Sequence, residues 1–397
     1  MSVFSPIQAG EHAASQSARR LLLPLDPLLT LAVLGLGACS VLTLKATTGK
    51  MVPGDPSYYY SRQVIYLGIG VAVMLVLSRI DYARLRRFKL GIYAVLLLSI
   101  LAVLAAGHSS NGSQRAISLP FFSFQGSELG KVLLIVALSA FLVERARRLR
   151  ERQTTVLLLL GALIPAMLVI AQPDLGSGLV YMSIAYMLLV IVGTSWRQLT
   201  GIALVVVCAI TLVLVVAPAV GVHPLQHYQS ERLTAFLHPS SNPKDKGAYQ
   251  LHQSEIAIGS GEKTGAHTSE GQVASGYVPE GDTDFIFAAV GEQYGFAGAA
   301  LVLVLYGLLL SRTLRILVMA KDLFGSLIAA GVAAMLMFQV FVNVGVTVGI
   351  MPITGVTLPL MSYGGSSVIT IMLGVGLLQS IYVQARASAA SKRRVAR

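Results

Sequence analysis

The sequence predicts an all-α polytopic integral membrane protein with ten transmembrane helices. Three observations carry that prediction. Only 12% of the 397 residues are charged and 55% are hydrophobic, with a mean hydropathy of +0.72; an ordinary soluble domain has about 25% charged residues. The apolar residues fall into ten runs of helical length. The cations gather between those runs and in alternate loops. Composition also excludes disorder, which needs low hydrophobicity. Cys39 and Cys208 lie inside apolar runs and read as small buried hydrophobes rather than a disulfide scaffold.

A bilayer core of about 30 Å takes roughly 20 apolar residues per helix. The candidate spans are 27–46, 63–80, 88–107, 128–144, 154–172, 175–194, 199–221, 284–311, 324–349 and 363–385. The fourth is short and opens with charged residues. Only Gln172-Pro173-Asp174 separates the fifth from the sixth. The chain therefore divides into a flexible tail (1–26), spans one to seven (27–221), a long loop (222–283), spans eight to ten (284–385) and a basic, mobile tail (386–397).

Orientation follows from the short loops. With the N-terminus cytoplasmic, 21 of the 30 cations fall on cytoplasmic segments, among them Arg84, Arg86, Arg87 and Arg145–Arg152. Both termini are then cytoplasmic and the 222–283 loop is extracellular. The net charge of +12 is accounted for by these topology-setting clusters, so no nucleic acid is expected as partner. The first 25 residues show no cleavable signal pattern.

The 222–283 segment holds five of the seven histidines, and a loop this long in a compact protein is usually functional. His223 and His227, spaced i, i+4, suit a helical metal pair, but no third ligand is placed by pattern. Gly259-Ser260-Gly261 implies tight backbone turns; GSGEKTG lacks the spacing of a nucleotide-binding loop.

Ionisable residues in or beside a span mark function. Glu128 and Lys131, at i, i+3, share a helix face. They form either a mutual ion pair or the lining of a polar cavity, where Lys131 and the fork of Arg115 suit a phosphate. Asp174 sits on a tight turn and can cap the sixth span. In GYVPEGDTDFIFAAVGEQYG (276–295), Glu280, Asp282, Asp284 and Glu292 cluster where the loop enters span eight. Thr283 or Asp282 can cap that helix. Asp284 then lies in its first turn, as a general base of raised pKa or as a carboxylate favoured by the helix dipole. PLMSYGGSS (359–367) places Ser362 and Gly364 where a backbone approaches a ligand or another helix closely.

These segments together resemble the SEDS family of shape, elongation, division and sporulation proteins. GSQRAISLPFFSFQGSELGK (112–131) looks like GxQRW…FQPSExxK, and QPDLGSG (172–178) like QPDLG. YQLHQSEIAIGSG (249–261), which carries Gln253 and Ser254, resembles YQxxQSxIAIGSG. PEGDTDFIFAAVGEQYG (279–295) resembles PExxTDFIFAxxGEExG. NVGVTVGIMPITGVTLPLMSYGGSS (343–367), which opens on Asn343, resembles NxGxxxGxxPxTGxxLPxxSYGGSS. Departures are Ala116 for the usual Trp, Gly126 for Pro, Asp282 for His and Gln293 in GEE, and EKTGAHTSEG (262–271) departs from the GxGxG region.

The resemblance implies a SEDS-type fold and a peptidoglycan glycosyltransferase. Such an enzyme polymerises lipid II at the outer face of the bacterial cytoplasmic membrane, releases undecaprenyl diphosphate and works with a class B penicillin-binding transpeptidase. It implies Asp284 as the essential carboxylate and Arg115, Glu128 and Lys131 as the residues that handle the diphosphate. Supporting roles fall to Asp174, Gln253, Ser254, Glu280, Glu292, Asn343, Ser362 and Gly364. No cofactor is implied with certainty; a divalent cation such as Mg2+ or Mn2+ could assist the diphosphate, though no ligand set is legible. The FFSFQGSELGK and GTSWRQL segments look more like the elongation (RodA) members than the division (FtsW-like) or sporulation (SpoVE-like) ones. A lipid II flippase or a noncatalytic scaffold would share the spans, but a transporter should show inverted repeats, and the two halves show none.

Overall fold

A computed structural model describes residues 25–49, 55–110, 113–118, 122–212, 236, 246–266 and 271–395. It is almost wholly helical. The helices are α1 (Pro27–Thr47), α2 (Tyr58–Arg79), α3 (Lys89–Ala106), α4 (Gly126–Glu144), α5 (Arg152–Ala171), α6 (Leu175–Val192), α7 (Trp196–Thr211), α8 (Lys246–Ser260), α9 (Ile286–Met319), α10 (Leu323–Thr347) and α11 (Gly365–Val395). Three short antiparallel strands, β1 (His108–Ser110), β2 (Ser113–Ser118) and β3 (Ser123–Phe124), join α3 to α4. Among the described residues, nine helical segments are long and apolar enough to cross a membrane. The seventh predicted span is seen as α7; its continuation at 213–221 lies outside the described residues, as do His223 and His227. Helices satisfy their own backbone groups, which lipid cannot do, so this architecture suits a bilayer.

The helices differ in how they are covered. α4, α10 and α11 are interior, with most of their residues buried, whereas α2, α3 and α5 turn large apolar side chains such as Leu90, Val76 and Leu98 outward. α11 packs along α2, α3 along α4, α5 along α6, and α9 along α1 and α10. Interior helices can carry polar side chains that lipid would not tolerate, because they face other helices. α4 holds Glu128 and Lys131, and α10 holds Gln339 and Asn343, all within the buried set.

Several expectations need correction. α2 begins five residues before the predicted 63–80 span, so Tyr58–Arg62 are helical. α11 runs on to Val395, so the basic tail expected to be mobile from 386 is a continuation of the last helix. Cys208 is exposed on α7, and Cys39 is half-buried; neither is a fully enclosed hydrophobe. The predicted eighth span, 284–311, is broken by a kink at Gly295 (φ 60°, ψ −159°). The 261–265 turn seats itself there: Phe296 N–H donates to Glu262 O and Ala297 N–H to Lys263 O (2.9 and 3.1 Å). A Cβ on Gly295 would lie 2.5 Å from Gly265 N, and its φ is one that only glycine adopts without strain.

At the end that carries Arg79, Arg315 and Lys321, a second polar network joins three helices. Arg312 on α9 donates to both carboxylate oxygens of Asp26. Asp26 also caps α1 through Leu29 N–H (3.0 Å). Its own N–H donates to Gln379 Oε1 on α11 (2.8 Å).

Candidate active site

The acidic turn before α9 is built by its neighbours. Within it, Thr283 N–H and Phe285 N–H both donate to Glu280 O (3.2 and 3.1 Å), and Glu280 adopts a left-handed φ of 57°. Three successive carbonyls then accept from three other positions. Tyr363 N–H donates to Asp282 O at 2.9 Å. Ser362 Oγ donates to Thr283 O at 2.6 Å while accepting from Leu358 N–H at 2.8 Å. Asn343 Nδ2 on α10 donates to Asp284 O and to Val356 O, both at 2.8 Å. Hydrogen bonds to its backbone carbonyls therefore anchor the turn from α10 and the 348–364 segment.

Asp284 is half-buried on this turn. α9 starts at Ile286 behind Phe285, so Asp284 precedes the helix and is not in its first turn. Neither Asp282 nor Thr283 occupies the cap; the Thr283 hydroxyl donates to the Glu280 carboxylate instead (2.9 Å). Glu280 is exposed. Burial, reinforced by the Glu280 charge and opposed by a backbone hydrogen bond, pushes the Asp282 carboxyl up to about 6.

The segment that supports this turn is itself tied down. Ser40 Oγ on α1 donates to Met361 O (2.6 Å), Tyr306 OH on α9 to Pro359 O (2.6 Å), and Gln63 Nε2 on α2 to Ser362 O (3.2 Å). Gly364 N–H donates to Gln63 Oε1 (3.4 Å). Ser40, Gln63 and Tyr306 escaped the sequence reading, since a single Ser, Gln or Tyr in a span has no pattern. Only their burial, complete for Ser40 and Gln63, marks them.

A second group lies at the start of α4. Lys131 Nζ donates to Glu128 Oε1 at 2.5 Å, with the two side chains 1% and 3% exposed. The two side chains thus pair with each other. Glu128 Oε2 has no partner among the described residues, and a buried charge pair with an unanswered oxygen is costly. Asp174 caps α6 through Ser177 N–H (3.1 Å), and also accepts from Ser127 Oγ (2.9 Å) and Gln125 Nε2 (3.2 Å). Arg115 is on β2, and its side chain lies outside the described residues.

α11 connects the two groups. Ser366 Oγ donates to Ser123 O (2.6 Å) and accepts from Gln125 N–H (3.1 Å), three residues after Tyr363. The other expected supporting residues stand further off. Ser254 Oγ on α8 donates to Thr347 O (2.9 Å), and Gln253 is half-buried on the same helix. The Glu292 carboxylate accepts from Gln272 N–H and from Val273 N–H (3.0 Å), so it clamps the loop rather than joining Asp284. Among the described residues no group of three or more His, Cys, Asp or Glu side chains could hold a metal ion.

A family model described as "Cell cycle protein", covering FtsW, RodA and SpoVE, matches residues 25–387. The probable peptidoglycan glycosyltransferase FtsW of Thioalkalivibrio sulfidiphilus (strain HL-EbGR7) is 36% identical over 389 residues, covering 95% of this chain and 94% of that protein. The peptidoglycan glycosyltransferase MrdB of Escherichia coli (strain K12) is 34% identical over 361 residues, covering 90% of this chain and 93% of that protein. A solved chain described under "Structural coordination of polymerization and crosslinking by a peptidoglycan synthase complex" superposes with a TM-score of 0.75 at 30% identity. The match covers 91% of this chain and 99% of that one.

Proposed function

Because the chain belongs to the FtsW, RodA and SpoVE family of cell cycle proteins, we propose that it is a peptidoglycan glycosyltransferase that polymerises lipid II. Relatives of 34–36% identity along nearly the whole chain carry that activity in their names. The observation that carries the site is the anchored turn: three consecutive carbonyls, 282–284, are gripped from outside, which holds Asp284 in one place. Preorganisation of this kind is what a general base requires.

In the proposed step the GlcNAc 4-hydroxyl of lipid II gives its proton to the Asp284 carboxylate as its oxygen attacks the MurNAc C1 of the growing strand. The bond from C1 to the diphosphate oxygen breaks with inversion, and undecaprenyl diphosphate leaves. One base and a good leaving group suffice, so no second nucleophilic carboxylate is needed. Arg115 and Lys131 offset the charge that gathers on the diphosphate, and Glu128 orients Lys131. Both termini are cytoplasmic and the Asp284 turn faces outward, as the cation distribution supports. A class B penicillin-binding protein is the proposed partner, supported by the likeness to a synthase that couples polymerisation to crosslinking. The FFSFQGSELGK and GTSWRQL segments support a role in cell elongation.

Labelled lipid II given to the purified protein with its transpeptidase is the test. Polymer from wild type and none from Asp284→Asn is the expected result; equal polymer from both would reject Asp284 as the base. Lys131→Ala should lower turnover more than Lys131→Arg, and equal activity of these two with wild type would remove Lys131 from the diphosphate role.

A further inference from the structure

The first turns of α2 place an aromatic and cationic cluster beside the acidic turn. Tyr58 and Tyr59 pack edge to face (ring centroids 5.3 Å apart, planes at 75°), and so do Tyr59 and Tyr363 (4.9 Å, 69°). The Arg62 guanidinium lies 4.2 Å from the Tyr58 ring centre. The Tyr66 ring lies 6.2 Å from that of Tyr363, tilted by 48°. Tyr59 sits in the field of Asp282 and Glu280. All four tyrosines except Tyr66 are only half-buried.

Tyrosines at a helix end in a membrane protein commonly form an interfacial belt facing lipid headgroups. This cluster is differently placed. It is bound to the acidic turn by Tyr363 N–H on Asp282 O and by Gln63 on Ser362 and Gly364. It also borders the second half of the site. A Cβ on Gly365 would lie 3.1 Å from the Tyr66 ring and 3.2 Å from Phe122 Cβ, so only hydrogen fits comfortably between the cluster and the strand that leads into α4. The cluster therefore packs between the segment that anchors the Asp284 turn and the residues that lead into α4. Edge-to-face packing fixes the ring planes but uses only some of their faces.

We propose that Tyr59, Tyr363 and Arg62 form a saccharide subsite. The apolar C–H face of a pyranose stacks on a tyrosine ring, and the Arg62 fork and the Asp282 carboxylate hydrogen-bond its polar substituents. This deepens the glycosyltransferase reading and rests on it. Rigid aromatic faces with a few polar groups at their margin are the usual make-up of a small-ligand site.

The test is direct binding to the purified full-length protein of two probes that share the undecaprenyl diphosphate: lipid II, which adds the disaccharide with its stem peptide, and undecaprenyl diphosphate, which carries neither. Tyr59→Ala and Tyr363→Ala should weaken lipid II binding about tenfold and leave undecaprenyl diphosphate binding unchanged. Tyr59→Phe, which keeps the ring, should retain most of the affinity. Equal weakening for both probes would make the cluster a structural or membrane-anchoring feature and overturn the subsite, as would undiminished lipid II binding by Tyr59→Ala. If wild type itself shows no preference for lipid II over undecaprenyl diphosphate, the glycosyltransferase reading fails first and the subsite with it. Comparing the wild-type probes with the variant probes separates the two failures.

Discussion

The two ends of the molecule each hold an aspartate next to a helix start, and they treat it in opposite ways. Asp26 is fully buried, and its carboxylate is taken up by Arg312 and by the N–H of Leu29. Asp284 is half-buried, and the atoms that fix its position are backbone carbonyls held by Asn343, Ser362 and Tyr363. At one end the acid is the fastener. At the other, side chains and N–H groups fasten the backbone that carries the acid. A residue meant to take a proton from a substrate should be held in place through its backbone, and three consecutive carbonyls at the second end are held from outside.

The comparison can be broken first at Asp284. Asp284→Asn should lower polymerisation by up to about 10⁴-fold with no change in thermal unfolding in detergent; a comparable loss of stability would mean that its carboxylate is also a fastener. Next comes Arg312→Leu, which leaves the Asp26 carboxylate buried without its cation. It should cost ~3 kcal/mol or more of stability, measured by thermal or denaturant unfolding, with turnover per folded molecule unchanged. Asn343→Leu tests the anchoring of the turn, because it strips the donor from two carbonyls at once. Stability should fall by ~2 kcal/mol and turnover by about tenfold or more, and a stability loss without a rate loss would show that the turn is held well enough by Ser362 and Tyr363 alone.

The smallest effect concerns Asp282. Its folded pKa of about 6 lies above the ordinary value of 3.8, so the folded state binds the proton more tightly than the unfolded chain. That contribution to stability is fully present below 3.8 and is lost as pH rises through about 6. Wild type should therefore lose stability relative to Asp282→Asn between those pH values. An unchanged difference across the range would mean that Asp282 is not held apart from water.

The nature of the chain and many of its candidate site residues were legible from local pattern. Ten apolar runs gave the spans because a bilayer demands their length. Asp284, Glu128, Lys131, Asp174, Asn343 and Ser362 stood out because polar groups are rare there, and the Asp174 cap could be read from its place between two helices. The Gly295 kink was hidden, since a glycine in a helical run has no signature until another backbone occupies the space. Glu292 looked like a supporting member of the acidic cluster by proximity in sequence, whereas two loop N–H groups claim its carboxylate. Tyr58–Arg62 looked like loop because tyrosines and an arginine interrupt the hydropathy of the run they begin.

The sequence by itself determined the fold class, the number of expected spans and the family, because hydrophobic length and short motifs are local properties. Only the tertiary structure decided which polar groups meet. It set Asn343 against Asp284, Gln63 against Ser362 and Arg312 against Asp26, across separations of 59, 299 and 286 residues. Such pairings follow from which helices pack together, and helices that are apolar on most faces carry little information about their neighbours until they pack.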